Sequence, residues 1–340
     1  NRSLSMGLGS GGGNAKKRVY TADTQKKVEE VFRKAKALDT TRFIEDNSPC
    51  NSDHVITDIN TWHTYSPGYN WDITIEEACK NTFKGSKNNY IGGRTQGEEP
   101  MMNSECGNVW GYIGSTGDCD FTWDYHLMID AFRRHMRCSG WLYTEHHDVT
   151  NEWNGYVRFD RSPKFTGIGA LFPGMSLSSL HAEAYIALDK EMCRTSKPNE
   201  IRTIPVWISL TTSALAGKRL TLSYELRYTD DKGIHKTKSG RMIEGNSRAY
   251  PWQNGKFTDI GVKMPDINSV GTINFTLFAD DKPVAYNFTC FRVKGKEEPF
   301  PPPKAASWSI GSTNVLNGLK YNGFGKGWFE FELPCEGEGT

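Results

Sequence analysis

The sequence contains no long hydrophobic run and no excess of charge of one sign. No stretch of 18 or more apolar residues occurs, so no membrane-spanning helix is expected. Forty-one Lys and Arg against forty Asp and Glu give a formal net charge of +1. A balance this even lacks the strong field of proteins that bind nucleic acid or acidic membranes. We therefore predict neither a nucleic-acid partner nor a membrane span.

The sequence also lacks the usual cysteine motifs. Its eight cysteines include no Cys-x-x-Cys pair and no zinc-type spacing with His, and their wide spread predicts free buried thiols, not a disulfide framework. The run Glu145-His146-His147-Asp148 is a poor transition-metal site, because adjacent strand residues point to opposite faces. We predict no metal site and no cofactor, with a structural calcium or sodium ion in a loop as the alternative.

Aromatic residues, in contrast, are abundant. They make up 12% of the chain, including ten Trp, many beside Asn, Gly, His or Glu. Sugars present flat C–H faces and many hydroxyls, so rings flanked by polar groups suit such ligands. The structural alternative is that these are core residues with a polar edge. A Gly-x-Ser-x-Gly elbow is missing, which disfavours a serine hydrolase.

Residues 1–180 alternate between helix and strand signals, which is typical of parallel β/α units. Apolar spacing predicts helices over 21–38, 73–83 and 123–135, and strands over 41–48, 54–65, 100–105 and 138–148. The chemically rich residues, Glu105 among them, follow the ends of the strands. That is where a (β/α) barrel carries its active site, so we predict β/α units of the barrel type.

After about residue 183 the apolar pattern changes to strict alternation without helices. The run "RLTLSYELRYTDDKG" is one example, and "PVAYNFTCFRV" is another. Such strands separated by turn residues over 183–295 predict an immunoglobulin-like β-sandwich. A proline-rich segment, 296–306, is predicted as a linker, and 307–340 as the truncated start of a β-rich domain. The fold class is thus α/β plus all-β.

Three stretches carry a family resemblance: "NSDHVITDINTWHTYSPGY", "PMMNSECGNVWGY" and "CSGWLYTEHHDVTNEWNGYVRFDRS". In order and spacing they resemble the second half of the catalytic barrel of glycoside hydrolase family 2, the β-galactosidase, β-glucuronidase and β-mannosidase family. The resemblance extends through the sandwich. It implies a β-glycoside as substrate, and a periplasmic or secreted location is favoured. Galactose, glucuronic acid and mannose all stay open as the sugar.

The resemblance also implies roles for individual residues. Glu105 matches the nucleophile of a double-displacement reaction. The sugar-binding positions carried over are Asn60, Trp62, His63, Tyr65, Asn103, Thr144 and Glu145. At Tyr143-Thr144-Glu145 the sequence departs from the family, which usually has a Trp there.

The acid/base residue of the family has no match in this chain. A retaining glycosidase needs two carboxyl groups about 5–5.5 Å apart, yet the opening run "NRSLSMGLGSGGG" contains none. We therefore interpret the chain as a fragment of a retaining β-glycosidase and predict that the isolated chain is inactive. The alternatives are a non-catalytic carbohydrate-binding protein with a degenerate barrel and a purely structural β-sandwich protein.

Overall fold

The computed structural model describes residues 20–47, 53–108, 119–149 and 152–295, and the backbone of 314–316 and 319–321. The chain divides into two compact units. The first contains Asn1–Cys119, Ala131–Lys164 and Thr313–Asn322, and the second contains Asp120–Asp130, Phe165–Ser312 and Gly323–Thr340. The predicted linker and the glycine-rich start lie outside the described residues. Of the predicted last domain, only the short paired strands Asn314–Leu316 and Leu319–Tyr321 are described.

The first unit is built on a three-stranded parallel sheet in the order β1-β2-β3. A helix lies in the chain between each pair of strands, as the alternating sequence pattern predicts. The elements are α1 (Ala22–Leu38), β1 (Asn60–Tyr65), α2 (Trp71–Asn81), β2 (Met101–Gly107) and β3 (Cys138–Tyr143). Helix α3 (Asp124–Arg134), between β2 and β3 in the chain, belongs to this unit only from Ala131 onwards. The partial (β/α)8 barrel, the second half of one, stays a prediction, because the three described strands form a short parallel sheet and no barrel wall can be identified from them.

Helix α1 begins where its sequence predicts. The Thr21 hydroxyl accepts a hydrogen bond from Thr24 N at 3.2 Å, and this side-chain cap satisfies one of the free N–H groups of the first turn. The predicted apolar face is only partly buried: Phe32 is 8% exposed, whereas Val31 is 56% and Leu38 80% exposed. The described residues cover the middle of this face and leave its sides open.

One predicted strand is wrong. Residues 41–47 form an irregular loop, because their side chains bond to backbone groups of the next segment and no strand pairs with them. Asp46 Oδ2 accepts hydrogen bonds from Val55 N at 2.7 Å and Ile56 N at 3.0 Å. Short acidic side chains commonly bond backbone N–H groups in this way and so replace regular secondary structure.

Aromatic rings pack the helices of the first unit onto its sheet. Phe132 on α3 lies 5.2 Å from Trp71 on α2 and stacks on Trp141 of β3 at 5.1 Å, measured between ring centroids. Arg134 Nη2 bonds Asp72 Oδ1 at 2.6 Å between α3 and α2. His135 and Arg134 hold the pKa of Asp72 well below its usual range. These contacts join α2, α3 and β3.

The second unit is a β-sandwich. One sheet has the order β10-β6-β4, and the other has the order β5-β12-β11-β7-β8, with β9 also pairing with β7. A short helix, α4 (Ile168–Leu171), precedes them. The strands are β4 (Ala184–Leu188), β5 (Cys193–Ser196), β6 (Ile201–Leu210), β7 (Arg219–Asp230), β8 (His235–Ser239), β9 (Ile243–Arg248), β10 (Asn254–Lys263), β11 (Ser269–Ala279) and β12 (Lys282–Val293). All pairings are antiparallel except β5 with β12.

Both sheets of the sandwich contribute to one hydrophobic core. Ile208 and Val262 come from one sheet, and Leu222, Phe275 and Phe291 from the other. The period-two pattern predicted for β7 is present, since Leu220, Leu222 and Leu226 are buried on the same face. The immunoglobulin-like type within the sandwich class stays a prediction.

Two further features of the described residues concern the expected absences. The six cysteines among them are free thiols. None of the described helices combines the length and the apolar character that a bilayer crossing requires.

Candidate functional site

A β-bulge at the end of β2 sets the geometry of the site. Trp62 of β1 lies opposite Asn103 of β2, but the next residue, His63, lies opposite Glu105. Ser104 is therefore the extra residue of the bulge. Bulges reorient side chains and are frequent beside active sites. Here the bulge brings Glu105 next to His63.

Glu45, from the loop before β1, holds the bulge in place. Its Oε1 atom accepts hydrogen bonds from the hydroxyl of Thr61 on β1 and from Ser104 Oγ on β2, the latter at 3.0 Å. One carboxylate thus bonds both β1 and β2, and its partner on β2, Ser104, is the residue before Glu105. Charge-assisted hydrogen bonds of this kind are stronger than those between neutral groups.

The carboxylate of Glu105 is held on both of its oxygens. Tyr65 Oη donates to Oε1 at 2.9 Å, and His63 Nδ1 lies 3.4 Å from Oε2. The Glu105 side chain nevertheless keeps 39% of its surface exposed, against 8% for His63. The group is fixed in orientation and still accessible to a ligand.

Burial sets the protonation states of the two neighbours. Burial, and then the charge of Glu105, raise the pKa of Tyr65 far above its usual range, so the phenol keeps the proton that it donates. Burial lowers the pKa of His63, although Glu105, Glu45 and Asp53 oppose this change. His63 is therefore a neutral imidazole near pH 7.

Glycine at position 107 makes room for the Tyr65 ring. A Cβ atom there would lie 3.0 Å from Tyr65 Cε1 and 3.1 Å from Cδ1, which is closer than Cβ atoms normally approach a ring. Gly107 is opposite Tyr65 in the register of β1 and β2. The absence of a side chain at this position is thus part of how the Tyr65 hydroxyl reaches Glu105.

Three of the predicted sugar-binding residues are not brought to the Glu105 carboxylate. Asn60 and Trp62 alternate with His63 and Tyr65 along β1, so they face the opposite side of the strand. Asn60 is fully buried: its Nδ2 donates to Gln96 Oε1 at 2.6 Å, and its Oδ1 accepts from Asn89 Nδ2 at 2.8 Å.

Asn103 and Trp62 form the other part of this buried side. Asn103 has no exposed surface and Trp62 keeps 7%. Within the described residues, no group hydrogen-bonds either amide atom of Asn103 or Nε1 of Trp62. Unpaired buried polar groups are uncommon in folded proteins. The sugar-binding roles of Asn60, Trp62 and Asn103 stay predictions.

Thr144 and Glu145, at the exit of β3, do lie at the Glu105 end of the sheet. Thr144 N donates to Cys106 O at 2.8 Å, which places the start of this loop directly beside Glu105. Burial raises the pKa of Glu145, and the charges of Glu152, Asp148 and Glu105 raise it further.

Glu152 is a member of the site that sequence analysis did not select. Burial and the charge of Glu105 raise its pKa. Its loop is held by Asp148 Oδ1, which accepts from Lys164 Nζ at 2.7 Å and from Gly155 N at 2.9 Å. The acids after β3 were the available signal, but the sequence alone does not show that the charge of Glu105 acts on the pKa of Glu152.

Among the described residues, no three His, Cys, Asp or Glu side chains form a group that could hold a metal ion. Glu105 contacts a hydroxyl and an imidazole, and Asp148 bonds an ammonium group and a backbone N–H. The suggested structural calcium or sodium ion stays a prediction.

The sequence matches no protein-family model and no curated protein. Among solved structures, the chain is similar to the β-glucuronidase of Bacteroides uniformis, at 14% identity over 81% of this chain and 32% of that one, with a TM-score of 0.33. The exo-chitosanase CsxA of Amycolatopsis orientalis is 14% identical over 50% of this chain and 18% of that one, with a TM-score of 0.30.

A superoxide reductase from Ignicoccus hospitalis is 11% identical over 36% of this chain and 88% of that one, with a TM-score of 0.24. Some of the similar structures are thus glycosidases, and this chain spans only about a third of the β-glucuronidase. TM-scores below 0.5 do not establish a shared fold or activity.

Proposed function

We propose that the chain carries the nucleophile end of a retaining β-glycosidase active site, with Glu105 as the nucleophile. The observation that supports this proposal is that the two oxygens of an accessible carboxylate are each contacted by a neighbour, Oε1 by Tyr65 Oη at 2.9 Å and Oε2 by His63 Nδ1 at 3.4 Å. A nucleophile must be oriented and must also be open to the substrate. Glu105 has both properties.

In the proposed reaction, a Glu105 oxygen forms a bond to the anomeric carbon while the bond from that carbon to the leaving oxygen breaks. The leaving oxygen needs a proton, which a second carboxyl group supplies. Water then hydrolyses the glycosyl-enzyme. Tyr65 and His63 do not transfer protons in this scheme; they orient the carboxylate.

Among the described carboxyl groups, Glu145 and Glu152 are the ones whose pKa is raised partly by Glu105. They tend to keep a proton beside the nucleophile. Their loop follows β3, whereas the acid/base residue that the resemblance implies comes from an earlier strand. We propose that the acid/base residue is missing from this chain, and we expect negligible turnover of p-nitrophenyl β-glycosides.

Covalent trapping tests the nucleophile without needing the acid. A 2-deoxy-2-fluoro glycoside with a dinitrophenyl leaving group forms a stable glycosyl-enzyme, because this leaving group departs without a proton. We would incubate the chain with the galactoside, glucuronide and mannoside in turn and map the labelled peptide by mass spectrometry. The expected result is one label, on Glu105.

Two variants accompany this experiment. Glu105→Gln should take no label, because an amide cannot attack the anomeric carbon, whereas Glu152→Gln should still be labelled. A label on Glu145 or Asp148 would show that a different carboxylate is the nucleophile. Reversible binding of the three sugars without any label would instead favour the non-catalytic carbohydrate-binding protein.

A further inference from the structure

The turn between β9 and β10, residues 249–253, exposes two large aromatic side chains of the second unit. Tyr250 is 52% exposed and Trp252 69% exposed. Large aromatic residues usually bury most of their surface, since this is their main contribution to stability. Two exposed rings two residues apart in one turn therefore call for an explanation.

The turn that carries the rings is firmly attached to the sandwich. Ala249 is buried, and its N–H donates to Lys218 O at 2.9 Å while its carbonyl accepts from Gly217 N at 2.8 Å. On the other side, Gln253 O accepts from Leu210 N at 2.6 Å. Both ends are thus held by backbone hydrogen bonds, so the rings project from a fixed base.

The backbone at Trp252 adds a second observation. Its φ angle is +58°, in the left-handed region that glycine adopts without cost and that is unfavourable for a bulky side chain. A glycine would suit this turn better. The indole also buries little surface. Trp252 therefore neither suits the backbone conformation at this position nor packs in the core. Strain of this kind tends to persist where a side chain serves binding.

We propose that Tyr250 and Trp252 form a stacking platform for the pyranose rings of a neutral β-linked glycan. The C–H face of a pyranose packs on an aromatic ring, and its hydroxyls bond to polar groups at the rim. The polar side-chain groups of the turn that can donate a hydrogen bond are Tyr250 Oη, Trp252 Nε1 and Gln253 Nε2. None of the three has a hydrogen-bond partner among the described residues. Gln253 Oε1 accepts from Tyr250 N at 3.2 Å, which orients this amide.

The neutrality of the ligand follows from the composition of the turn. Residues 249–253, Ala-Tyr-Pro-Trp-Gln, contain no acid and no base. The neighbouring Arg248 is engaged, since its Nη1 donates to Gly217 O at 2.9 Å. A carboxylated or sulfated sugar would find no free positive partner within the turn. This proposal does not depend on the Glu105 site.

Affinity electrophoresis tests the platform. Native gels containing β-1,4-galactan, β-1,4-xylan or β-1,3-glucan would be compared with a gel lacking glycan. We expect at least one glycan to retard the chain, and Trp252→Ala and Tyr250→Ala each to weaken binding about tenfold, which is the loss of one stacked ring. Trp252→Phe should keep most of the binding, because it keeps an aromatic face.

Two controls keep the test specific. Ile234→Ala removes another exposed apolar side chain of the second unit, 52% exposed, and should leave the retardation unchanged. Trp252→Ala should be labelled at Glu105 in the trapping experiment to the same extent as the wild type, which separates this proposal from the glycosidase proposal. Retardation by none of the three glycans, or unchanged retardation of Trp252→Ala, would overturn the proposal.

A second measurement separates binding from stability. Trp252→Gly should unfold at an equal or higher urea concentration than the wild type, because it relieves the unfavourable φ angle, and yet it should lose glycan binding. If the rings served contact between two copies of the chain instead, the wild type would sediment as a dimer and Trp252→Gly as a monomer, without glycan retardation. That outcome would also overturn the proposal.

Discussion

Both units bury polar groups, and both leave some of them without a hydrogen-bond partner among the described residues. In the second unit, Asp130 Oδ1 accepts from Tyr185 Oη at 2.9 Å and from Asn287 Nδ2 at 3.0 Å, yet Asn274 Oδ1 has no partner. In the first unit, no described group bonds the amide of the buried Asn103. Such groups cost stability in either unit, so they do not distinguish the two units.

The two units differ in the composition of their buried cores. The sandwich has one continuous apolar core shared by both sheets, and its strands need only the period-two pattern to form it. The parallel sheet of the first unit instead places polar residues such as Asn60, Thr61 and Asn103 at buried positions. The comparison indicates that the sandwich depends on one apolar core between its sheets, whereas the buried side of the parallel sheet is partly polar.

The largest expected effect is in the sandwich core. Phe275 has no exposed surface and lies in the shared core, so Phe275→Ala should lower the free energy of unfolding by about 3–5 kcal/mol. Urea denaturation measures the change. Val270→Ala, on the same strand but at a 44% exposed position, is the control, with a change of about 0.5 kcal/mol or less. Similar losses for both variants would contradict a core formed between the sheets.

The next effect concerns the bond that joins β1 and β2. Glu45→Ala removes the acceptor shared by Thr61 and Ser104 and should cost about 1–3 kcal/mol in urea denaturation, as well as slowing covalent trapping at Glu105. Glu30→Ala removes an exposed ion pair with Lys27 on α1 and should change stability by less than about 1 kcal/mol. Unchanged trapping in Glu45→Ala would show that the bulge does not need this carboxylate.

A smaller effect is expected from one added methyl group. Gly107→Ala places a carbon 3.0 Å from the Tyr65 ring and should displace the Tyr65 hydroxyl, slowing trapping about tenfold or more. Gly140→Ala, on neighbouring β3, has no described atom closer than 3.9 Å to the new carbon and serves as the matched control. Equal trapping rates in the two variants would argue against a role for Tyr65 in orienting Glu105.

The smallest effect is a pH dependence confined to the first unit. The pKa values of Glu145 and Glu152 are raised by burial and by neighbouring carboxylates, so folding favours their protonated forms. Their contribution is complete below the ordinary pKa of Glu and is lost as the pH rises through the raised values.

The double variant Glu145→Gln/Glu152→Gln should therefore gain stability relative to the wild type as the pH increases from about 4 to about 8, in urea denaturation at each pH. Comparing the two proteins removes the opposite contribution of Asp72, whose pKa is lowered by His135 and Arg134. A constant difference between wild type and variant across this range would contradict the proposed carboxyl cluster.

Much of the secondary structure was predictable, because it depends on local patterns. Apolar spacing predicted α1, and alternation predicted β7. The strand proposed for 41–48 failed because Glu45 and Asp46 bond to groups contributed by a later segment, 55–61, and by Ser104. Local sequence patterns do not reveal hydrogen-bond partners that lie far away in the chain.

The residues of the candidate site were likewise predictable only in part. Glu105, His63 and Tyr65 were selected together from the family resemblance, and the structure places their side chains in contact. Glu45, Gly107 and Glu152 were not selected. Glu45 acts through a hydrogen bond across the bulge, Gly107 through the space that it leaves for the Tyr65 ring, and Glu152 through the fold of its loop. Each of these effects depends on residues that are distant in sequence.

The change from parallel β/α units to antiparallel strands can be read from the amino-acid order alone, because side-chain periodicity is a local property of the backbone. The position of Glu105 beside His63 depends instead on the folded chain, since a one-residue bulge changes which side chain faces the site. The tertiary structure also decided that Trp252 is exposed and not buried, because burial depends on what the rest of the chain covers.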